Sequence, residues 1–412
     1  MVTFDGFIPA DGGVCAAKGF TAGGVNIGVK KGSEKKDLAL VYCVKKCAAA
    51  AVYTTNKVQG APITVTKRNL ESTKGYARAI VANSGNANTC NPNGVEIAEK
   101  ICKLTAETLR IEKEDVIIAS TGVIGQPLSF EPFETGLPVL AAEISELGGD
   151  SACDAIMTTD TFRKQFAVEF ELGGVKCSLG GISKGSGMIN PNMATLLAFI
   201  TTDANISVEM LKTALNVVNS VTYNMVCVDG DTSTNDMVCV MASGLAGNKE
   251  IVSEDADYEI FVNALYAVMV NLARETARDG EGATKLLECI VRGAPDEEVA
   301  KSVAKSVISS NLFKAAMSAA DANWGRILCA IGYAEGGFDI SKTEVELASS
   351  YGRITVCKNG AGVSFSEEEA FKLLSEDEIR IYVDLRSGEG EAVAWGCDLT
   401  GEYVKINANY RS

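Results

Sequence analysis

Residues 184–203 read KGSGMINPNMATLLAFITTD, and the apolar run inside this stretch predicts a central strand. A loop that contains glycine and proline leads to Ala194 and Thr195, and the apolar residues 196–201 follow directly. A short, wholly apolar run is typical of a strand that is covered on both faces. The pattern therefore predicts that Thr195 stands at the head of a buried strand.

The composition limits how such a threonine could react, because the chain contains no histidine. Its absence excludes Ser-His-Asp and Cys-His triads, zinc sites with histidine ligands and an imidazole general base. A threonine at a new N-terminus can instead use its own α-amino group as the base. Cleavage between Ala194 and Thr195 would create that amine, whose reference pKa is about 7.7–8. The alternative is an uncleaved chain, since β-branched residues are common at strand starts without any chemistry.

Charge and hydropathy narrow the class of protein further. Hydrophobic residues make up 47% of the chain and charged residues 22%, which is typical of a globular protein. The formal net charge of −15 argues against nucleic acid or an anionic membrane as a partner. The sequence shows no secretory signal and no apolar run near the ~18 residues of a membrane span, so we expect a cytoplasmic protein. The 13 cysteines lack metal-binding spacing, and we expect no metal site.

Hydrophobic periodicity predicts a mixture of strands and helices. Strands are expected at residues 25–29, 38–44, 50–54, 63–65, 79–82, 116–119, 165–172, 196–201 and 378–385. Helices are expected at residues 94–110, 207–220, 258–274, 295–309 and 366–374. The order is not a strict βαβ alternation. It therefore favours a layered α/β sandwich with mixed or antiparallel sheets over a Rossmann fold.

Two polar segments are candidates for a reaction site. Thr121 and Gly122 follow an apolar strand, where a hydroxyl and a backbone N–H side by side could form an oxyanion hole. The alternative is a plain glycine-rich turn. Residues 184–187 lack the spacing of a phosphate-binding loop, so we reject a nucleotide site and keep Lys184 as a cation for a carboxylate.

Two acidic segments have no assigned role on spacing alone. Residues 229–236, DGDTSTND, lack the glycine position of a calcium loop, and we interpret them as a rigid polar turn near the site. Glu281 lies between two glycines. Either Glu281 lies in an exposed turn, or its carboxylate faces an amine.

Taken together, segments along nearly the whole chain resemble the ornithine acetyltransferase (glutamate N-acetyltransferase) family of arginine biosynthesis. The matching segments are GGVCAAKGF, TTNKVQGAP, NSGNANTC, STGVIG, MTTDT, KGSGMINPNMATLLAFITTDA, DGDTSTND, ARDGEGATK, ADANWGRIL, AWGCDLT and INANYRS. The resemblance implies self-cleavage into an alpha chain, residues 1–194, and a beta chain, residues 195–412. It also implies the layered α/β fold that this family shares with self-processing aminopeptidases.

The resemblance carries specific roles to residues of this sequence. It implies ping-pong transfer of acetyl from N2-acetyl-L-ornithine to L-glutamate through acetyl-Thr195, with an oxyanion hole at Thr121 and Gly122. The positions that match the family's substrate-binding residues are Thr158, Lys184, Thr195, Glu281, Asn407 and Ser412. Ser412 stands where threonine is usual, and either hydroxyl can donate.

The resemblance also bears on partners and on rival functions. It implies a heterotetramer of two alpha and two beta chains without a cofactor, and it leaves acetyl-CoA open as a second acetyl donor. One alternative is a self-processing aminopeptidase or amidohydrolase, in which water replaces glutamate. Another is a noncatalytic amino-acid-binding protein in which Thr195 has only a structural role.

Overall fold

The structure, a computed structural model, describes residues 2–190 and 196–408. Its strands are β1 (Ile8–Ala10), β2 (Phe20–Val25), β3 (Leu38–Tyr53), β4 (Tyr76–Asn86), β5 (Val116–Val123), β6 (Lys164–Leu172), β7 (Val175–Lys184), β8 (Leu197–Thr202), β9 (Val226–Cys227), β10 (Met237–Ala242), β11 (Leu286–Ala294), β12 (Glu344–Ala348), β13 (Arg353–Lys358), β14 (Ala361–Gly362), β15 (Glu378–Asp384) and β16 (Gly390–Cys397). Its helices are α1 (Ala61–Ser72), α2 (Gly94–Leu109), α3 (Glu131–Glu143), α4 (Gly149–Ile156), α5 (Val208–Ser220), α6 (Ala256–Arg278), α7 (Glu297–Ser309), α8 (Asn311–Ser318), α9 (Trp324–Gly332), α10 (Glu367–Leu374) and α11 (Gly401–Ala408).

The described strands form two sheets. The first sheet has the order β1-β6-β7-β8-β10-β3-β4-β5, with β2 beside β3, and the second has the order β14-β13-β12-β15-β11-β16-β9. Most neighbours are antiparallel, whereas β8 with β10, β4 with β5, β11 with β15 and β16 with β9 are parallel. The predicted layered α/β fold with mixed sheets is confirmed.

Helix α6 contacts both sheets and places them in successive layers. It packs on β6 and β7 of the first sheet and on β16 and β11 of the second. Most of its side chains are buried, as the long apolar pattern over residues 258–274 predicts. The largest apolar cluster contains side chains from α6 and from both sheets, so it forms a shared core. Among the described residues, no helix is long and apolar enough to cross a membrane.

Strand β8 is central, as its sequence predicts. All six of its residues are buried, and it lies between β7 and β10. Serine side chains cap the starts of two predicted helices. The Ser207 side chain accepts a hydrogen bond from Met210 N at the start of α5, and Ser366 accepts one from Glu369 N at the start of α10.

Two predicted strands are wrong, each for a local reason. Residues 63–65 lie in helix α1, where Pro62 occupies the first turn and the apolar side chains face the core. A short β-branched run cannot by itself distinguish a strand from a buried helical turn. Residues 26–29 follow β2 outside any strand, because Asp37 accepts hydrogen bonds from Ile27 N and Lys30 N and so holds a turn.

Two other predictions have wrong boundaries. The strands expected at residues 38–44 and 50–54 are one strand, β3, whose pairing with β4 shifts register between Tyr42 and Cys47. The strand expected at residues 116–119 continues to Val123 as β5. The predicted oxyanion pair therefore lies within the end of a strand, and its position is set by sheet register.

Candidate active site

One cavity of about 90 Å³ brings together the six predicted site residues that the structure describes. We call it the central cavity, and these lining residues are Thr121, Gly122, Thr158, Lys184, Glu281 and Asn407. Ser233, Thr234 and Asn235 also line it, so part of the polar segment 229–236 lies beside these predicted site residues. Ala194, Thr195 and Ser412 lie outside the described residues.

The end of β5 supplies the predicted oxyanion pair. Thr121 is only 3% exposed, and its hydroxyl makes no hydrogen bond to another described residue. Gly122 has φ +129°, and a Cβ there would stand 2.3 Å from the backbone carbon of Gly85 on β4. Both the conformation and the close approach of the two strands therefore require glycine at this position.

Asn235 fixes this strand end, and sequence reasoning did not single it out. Its amide donates to the carbonyls of Ala87 (2.6 Å) and Ser120 (3.0 Å). Its oxygen accepts from the hydroxyls of Thr89 and Thr234, each at 2.6 Å. A buried amide with both ends satisfied rigidifies the segments that it joins. The density of polar residues at 229–236 was the available signal, but it does not show which side chain points inward.

Glu281 faces inward. The side chain is 9% exposed, and Asn407 Nδ2 donates to its Oε2 at 2.7 Å. A Cβ on Gly187 would lie 2.4 Å from the Glu281 carboxyl carbon, so glycine leaves room for this carboxylate. Of the two interpretations of residues 279–283, the exposed turn is therefore wrong at Glu281. Its carboxylate lines the central cavity and can receive a cation.

Lys184 supplies the opposite charge at the end of β7. Its side chain is 2% exposed, and its ammonium lies 4.0 Å from Asp160 Oδ2. Burial lowers the pKa of Lys184, and the charge of Asp160 partly opposes that effect. Thr158 N donates to the same Asp160 oxygen at 2.9 Å. The cavity thus carries a cation and a carboxylate, as a ligand with both an acidic and an amino group would require.

Asp236 holds the strand that follows the predicted nucleophile. Leu196 N donates to Asp236 Oδ1 at 3.1 Å, and Met237 N donates to Leu196 O at 3.0 Å. The carboxyl is fully buried, and that burial raises its pKa well above the usual range. Leu196 is the residue after Thr195 in the sequence, so Asp236 anchors the described chain next to the predicted cleavage point. No spacing rule pointed to this residue.

Asp229 ties the loop after β7 to the last helix. It accepts hydrogen bonds from Met188 N (2.5 Å) and Ile189 N (2.9 Å). It also accepts one from the hydroxyl of Tyr403 on α11, at 3.2 Å. Because α11 carries Asn407, this carboxylate couples that loop to the side chain that reaches Glu281.

A second, larger cavity adjoins the first. We call it the lysine cavity; it measures about 620 Å³ and is lined by Lys30, Lys31 and Lys35. It shares Thr158 and Thr159 with the central cavity. Lys30 has a structural role, because its ammonium donates to the carbonyls of Lys36 and Met157, each at 2.8 Å. Lys31 and Lys35 are both exposed.

Sequence comparison matches this chain to known proteins over nearly its whole length. The sequence profile of the ArgJ family matches residues 21–412. The arginine biosynthesis bifunctional protein ArgJ of Symbiobacterium thermophilum is 48% identical over 403 residues, which cover 97% of this chain and 99% of that protein. ArgJ 1 of Clostridium acetobutylicum is 48% identical over 394 residues, which cover 95% and 96%. The crystal structure of the Bacillus halodurans protein is 47% identical and covers 51% of this chain and 97% of its own, with a TM-score of 0.49.

Proposed function

This chain belongs to the ArgJ family, and from that premise we propose that it transfers an acetyl group from N2-acetyl-L-ornithine to L-glutamate in arginine biosynthesis. The observation that carries the proposal is the convergence of the six described site residues on the central cavity. They come from segments between Thr121 and Asn407, so their meeting in one place is a property of the fold.

The proposed reaction begins with cleavage between Ala194 and Thr195. The α-amino group released at Thr195 then acts as the base for its own hydroxyl. That hydroxyl attacks the acetyl carbonyl of acetylornithine, and Thr121 and Gly122 stabilise the negative oxygen that develops. One such donor typically contributes about 2.7–4 kcal/mol to the transition state. Ornithine leaves with the proton, and acetyl-Thr195 remains.

The second half of the reaction uses the same groups. The amine of glutamate attacks acetyl-Thr195, the oxyanion forms in the same place, and N-acetylglutamate leaves. Both amino acids carry an α-carboxylate, which Lys184 binds. Only ornithine carries a side-chain ammonium, and Glu281 binds that group. The buried cation and carboxylate of the central cavity support this division of roles.

Cleavage is the first test of the proposal. The purified protein should separate on a denaturing gel into residues 1–194 and residues 195–412, and the second fragment should begin Thr-Leu-Leu-Ala. Thr195→Ala should stay uncleaved and inactive because no hydroxyl remains to attack, whereas Thr195→Ser should cleave and turn over more slowly. A fully active protein with the mass of one intact chain would contradict the mechanism.

Acetyl transfer itself separates the proposal from its alternatives. Incubation with acetylornithine and glutamate should release ornithine and N-acetylglutamate in equal amounts. A self-processing hydrolase would release ornithine and acetate at the same rate with or without glutamate. A noncatalytic binding protein would remain one chain and release neither product. The assembly of two alpha and two beta chains and the cytoplasmic location stay predictions, the first of which native mass measurement can check.

A second acetyl donor, acetyl-CoA, is favoured by the lysine cavity. The lining of this cavity includes three lysines and no acidic side chain among the described residues, although the net charge of the chain is −15. A ligand with several phosphates fits such a surface, and the shared Thr158 and Thr159 connect it to the central cavity. The acetyl end of the donor would then reach the reacting threonine.

Charge reversal at two of these lysines tests the second donor. Lys31→Glu with Lys35→Glu should raise the KM for acetyl-CoA by about tenfold at low salt, less at high salt, and leave the KM for acetylornithine unchanged. Lys358→Glu with Lys372→Glu, exposed on the second sheet and α10, makes the same charge change elsewhere and serves as the control. If the wild-type enzyme does not acetylate glutamate from acetyl-CoA, the second activity is ruled out, and transfer from acetylornithine is not affected by that result.

A further inference from the structure

Two buried lysines lie beside the central cavity, and their surroundings differ. Lys164 Nζ contacts two carboxylates, Asp160 Oδ1 at 2.7 Å and Asp279 Oδ2 at 2.5 Å. Lys184 Nζ comes within 4.0 Å of one carboxylate among the described residues, Asp160. Burial alone would lower the pKa of both ammonium groups. The pKa of Lys164 is nevertheless raised by its two carboxylates, whereas the pKa of Lys184 is lowered.

Asp160 connects the segments that surround these lysines. Its side chain is fully buried. Oδ1 accepts hydrogen bonds from Lys164 Nζ and from Gly185 N, both at 2.7 Å, and Oδ2 accepts one from Thr158 N. One carboxylate therefore holds the backbone of Thr158, the start of β6 and the residue after Lys184. Two of those three segments carry a residue of the central cavity.

We propose that Asp160 is a positioning residue that keeps Lys184 charged and directed at the carboxylate of the substrate. The inference rests on the acetyltransferase function proposed above. The contacts of Asp160 support it, because the carboxylate stands beside the ammonium and fixes the backbone at Gly185 directly after it. Asp160 itself touches no substrate in this arrangement.

The other charges near Lys184 cannot replace Asp160. Lys164 is a like charge that disfavours the Lys184 ammonium. Glu281 and Asp236 favour it from a greater distance, but Glu281 is already hydrogen-bonded to Asn407 and Asp236 to Leu196 N. Lys30, a further cation of the neighbouring loop, also adds repulsion. Loss of the Asp160 charge would therefore leave burial and two like charges acting against protonation of Lys184.

The charge state of Lys184 sets the direction of the pH effect. The pKa of Lys184 is already below its ordinary value, and removal of the adjacent negative charge lowers it further. A neutral amine no longer attracts a carboxylate. In Asp160→Asn, the KM for both acetylornithine and glutamate should therefore rise with pH, by about tenfold per pH unit above the new pKa of Lys184. The quantity to measure is the KM of the variant divided by the KM of the wild type at each pH. Titration of the Thr195 α-amino group affects both enzymes and cancels in this ratio.

A substrate without the carboxylate distinguishes positioning from simple structural damage. N-acetylputrescine is acetylornithine without its α-carboxylate, so it offers Lys184 nothing to bind. Asp160→Asn should use it as well as the wild type does, at every pH. Asp279→Asn is the matched control, because it also removes a carboxylate from Lys164 but one that lies farther than 4.0 Å from Lys184. Its KM ratio to wild type should not change with pH.

The results that would overturn the proposal are distinct from a failure of the proposed function. Suppose that Asp160→Asn and Asp279→Asn lose activity equally at every pH, and that the carboxylate-free substrate is affected to the same extent. Asp160 would then have only a structural role, while the proposed acetyl transfer would stand. If Asp160→Asn does not fold, as judged by cleavage and thermal melting, Asp160→Glu keeps the charge and should retain the wild-type pH profile of KM. A pH-dependent rise of KM in Asp160→Glu would also overturn the proposal.

Discussion

The two sides of the central cavity are built differently. On the side of the first sheet, Thr121 and Gly122 lie on β5 and Lys184 ends β7, so paired strands set their positions. On the side of the second sheet, Glu281 lies in the loop between α6 and β11, and Asn407 is an exposed residue of the short helix α11. Strand register holds a group more firmly than a loop does.

We expect the two sides of the central cavity to have different roles. The oxyanion forms in both half-reactions, and its donors need the fixed geometry that a sheet edge provides. The side chain differs between ornithine and glutamate, and the residues that meet it lie on segments outside the sheets. We therefore expect substitutions on the first side to affect the rate with either substrate, and substitutions on the second side to affect one substrate.

The largest effect is expected at Thr121. Thr121→Ala removes a donor that is needed mainly in the transition state, so kcat should fall by about 10²–10³ with little change in KM. The fall should be the same when acetylation and deacetylation of Thr195 are measured separately. Thr121→Ser keeps the hydroxyl and should retain most of the activity. A loss confined to one half-reaction would contradict the expectation that residues on the first side act with either substrate.

An intermediate effect is expected at Glu281. Glu281→Gln keeps the shape but loses the charge, and hydrogen bonds to charged groups contribute about 1.5–3 kcal/mol. The KM for acetylornithine should therefore rise by about 10–100-fold, while the KM for glutamate changes much less. Both constants come from the same variant, so the comparison is internal. An equal rise for both substrates would mean that Glu281 binds a group they share.

The smallest effect is expected at Asn407. Its amide donates to Glu281 Oε2, so it affects the substrate only through the position of that carboxylate and should contribute less than the charge itself, about 1 kcal/mol. Asn407→Ala should raise the KM for acetylornithine about fivefold. Because the residue acts through the carboxylate, adding Asn407→Ala to Glu281→Gln should cost less than the two single effects combined. Additive losses would show instead that Asn407 contacts the substrate by itself.

Much of this molecule follows from local sequence patterns. The periodicity of α2, the helix predicted at residues 366–374 and the apolar run of β8 all reflect neighbours a few residues apart, and each is confirmed. The absence of histidine excludes imidazole chemistry whatever the fold, because it is a property of composition alone. Matching motifs then identified residues that the fold brings to one cavity.

The assembled fold alone determines which polar residues are buried and which groups they face. Asp160 holds Gly185, 25 residues away, and Asp279 accepts from Thr161, 118 residues away. Neither pairing leaves a periodic signal in the sequence, since it depends on how strands and loops from distant segments meet. The same holds for Ile63, whose short apolar run fits either a strand or a helix until its burial is known. The free energy of a charge depends on its desolvation and its partners, and both are set by the assembled fold.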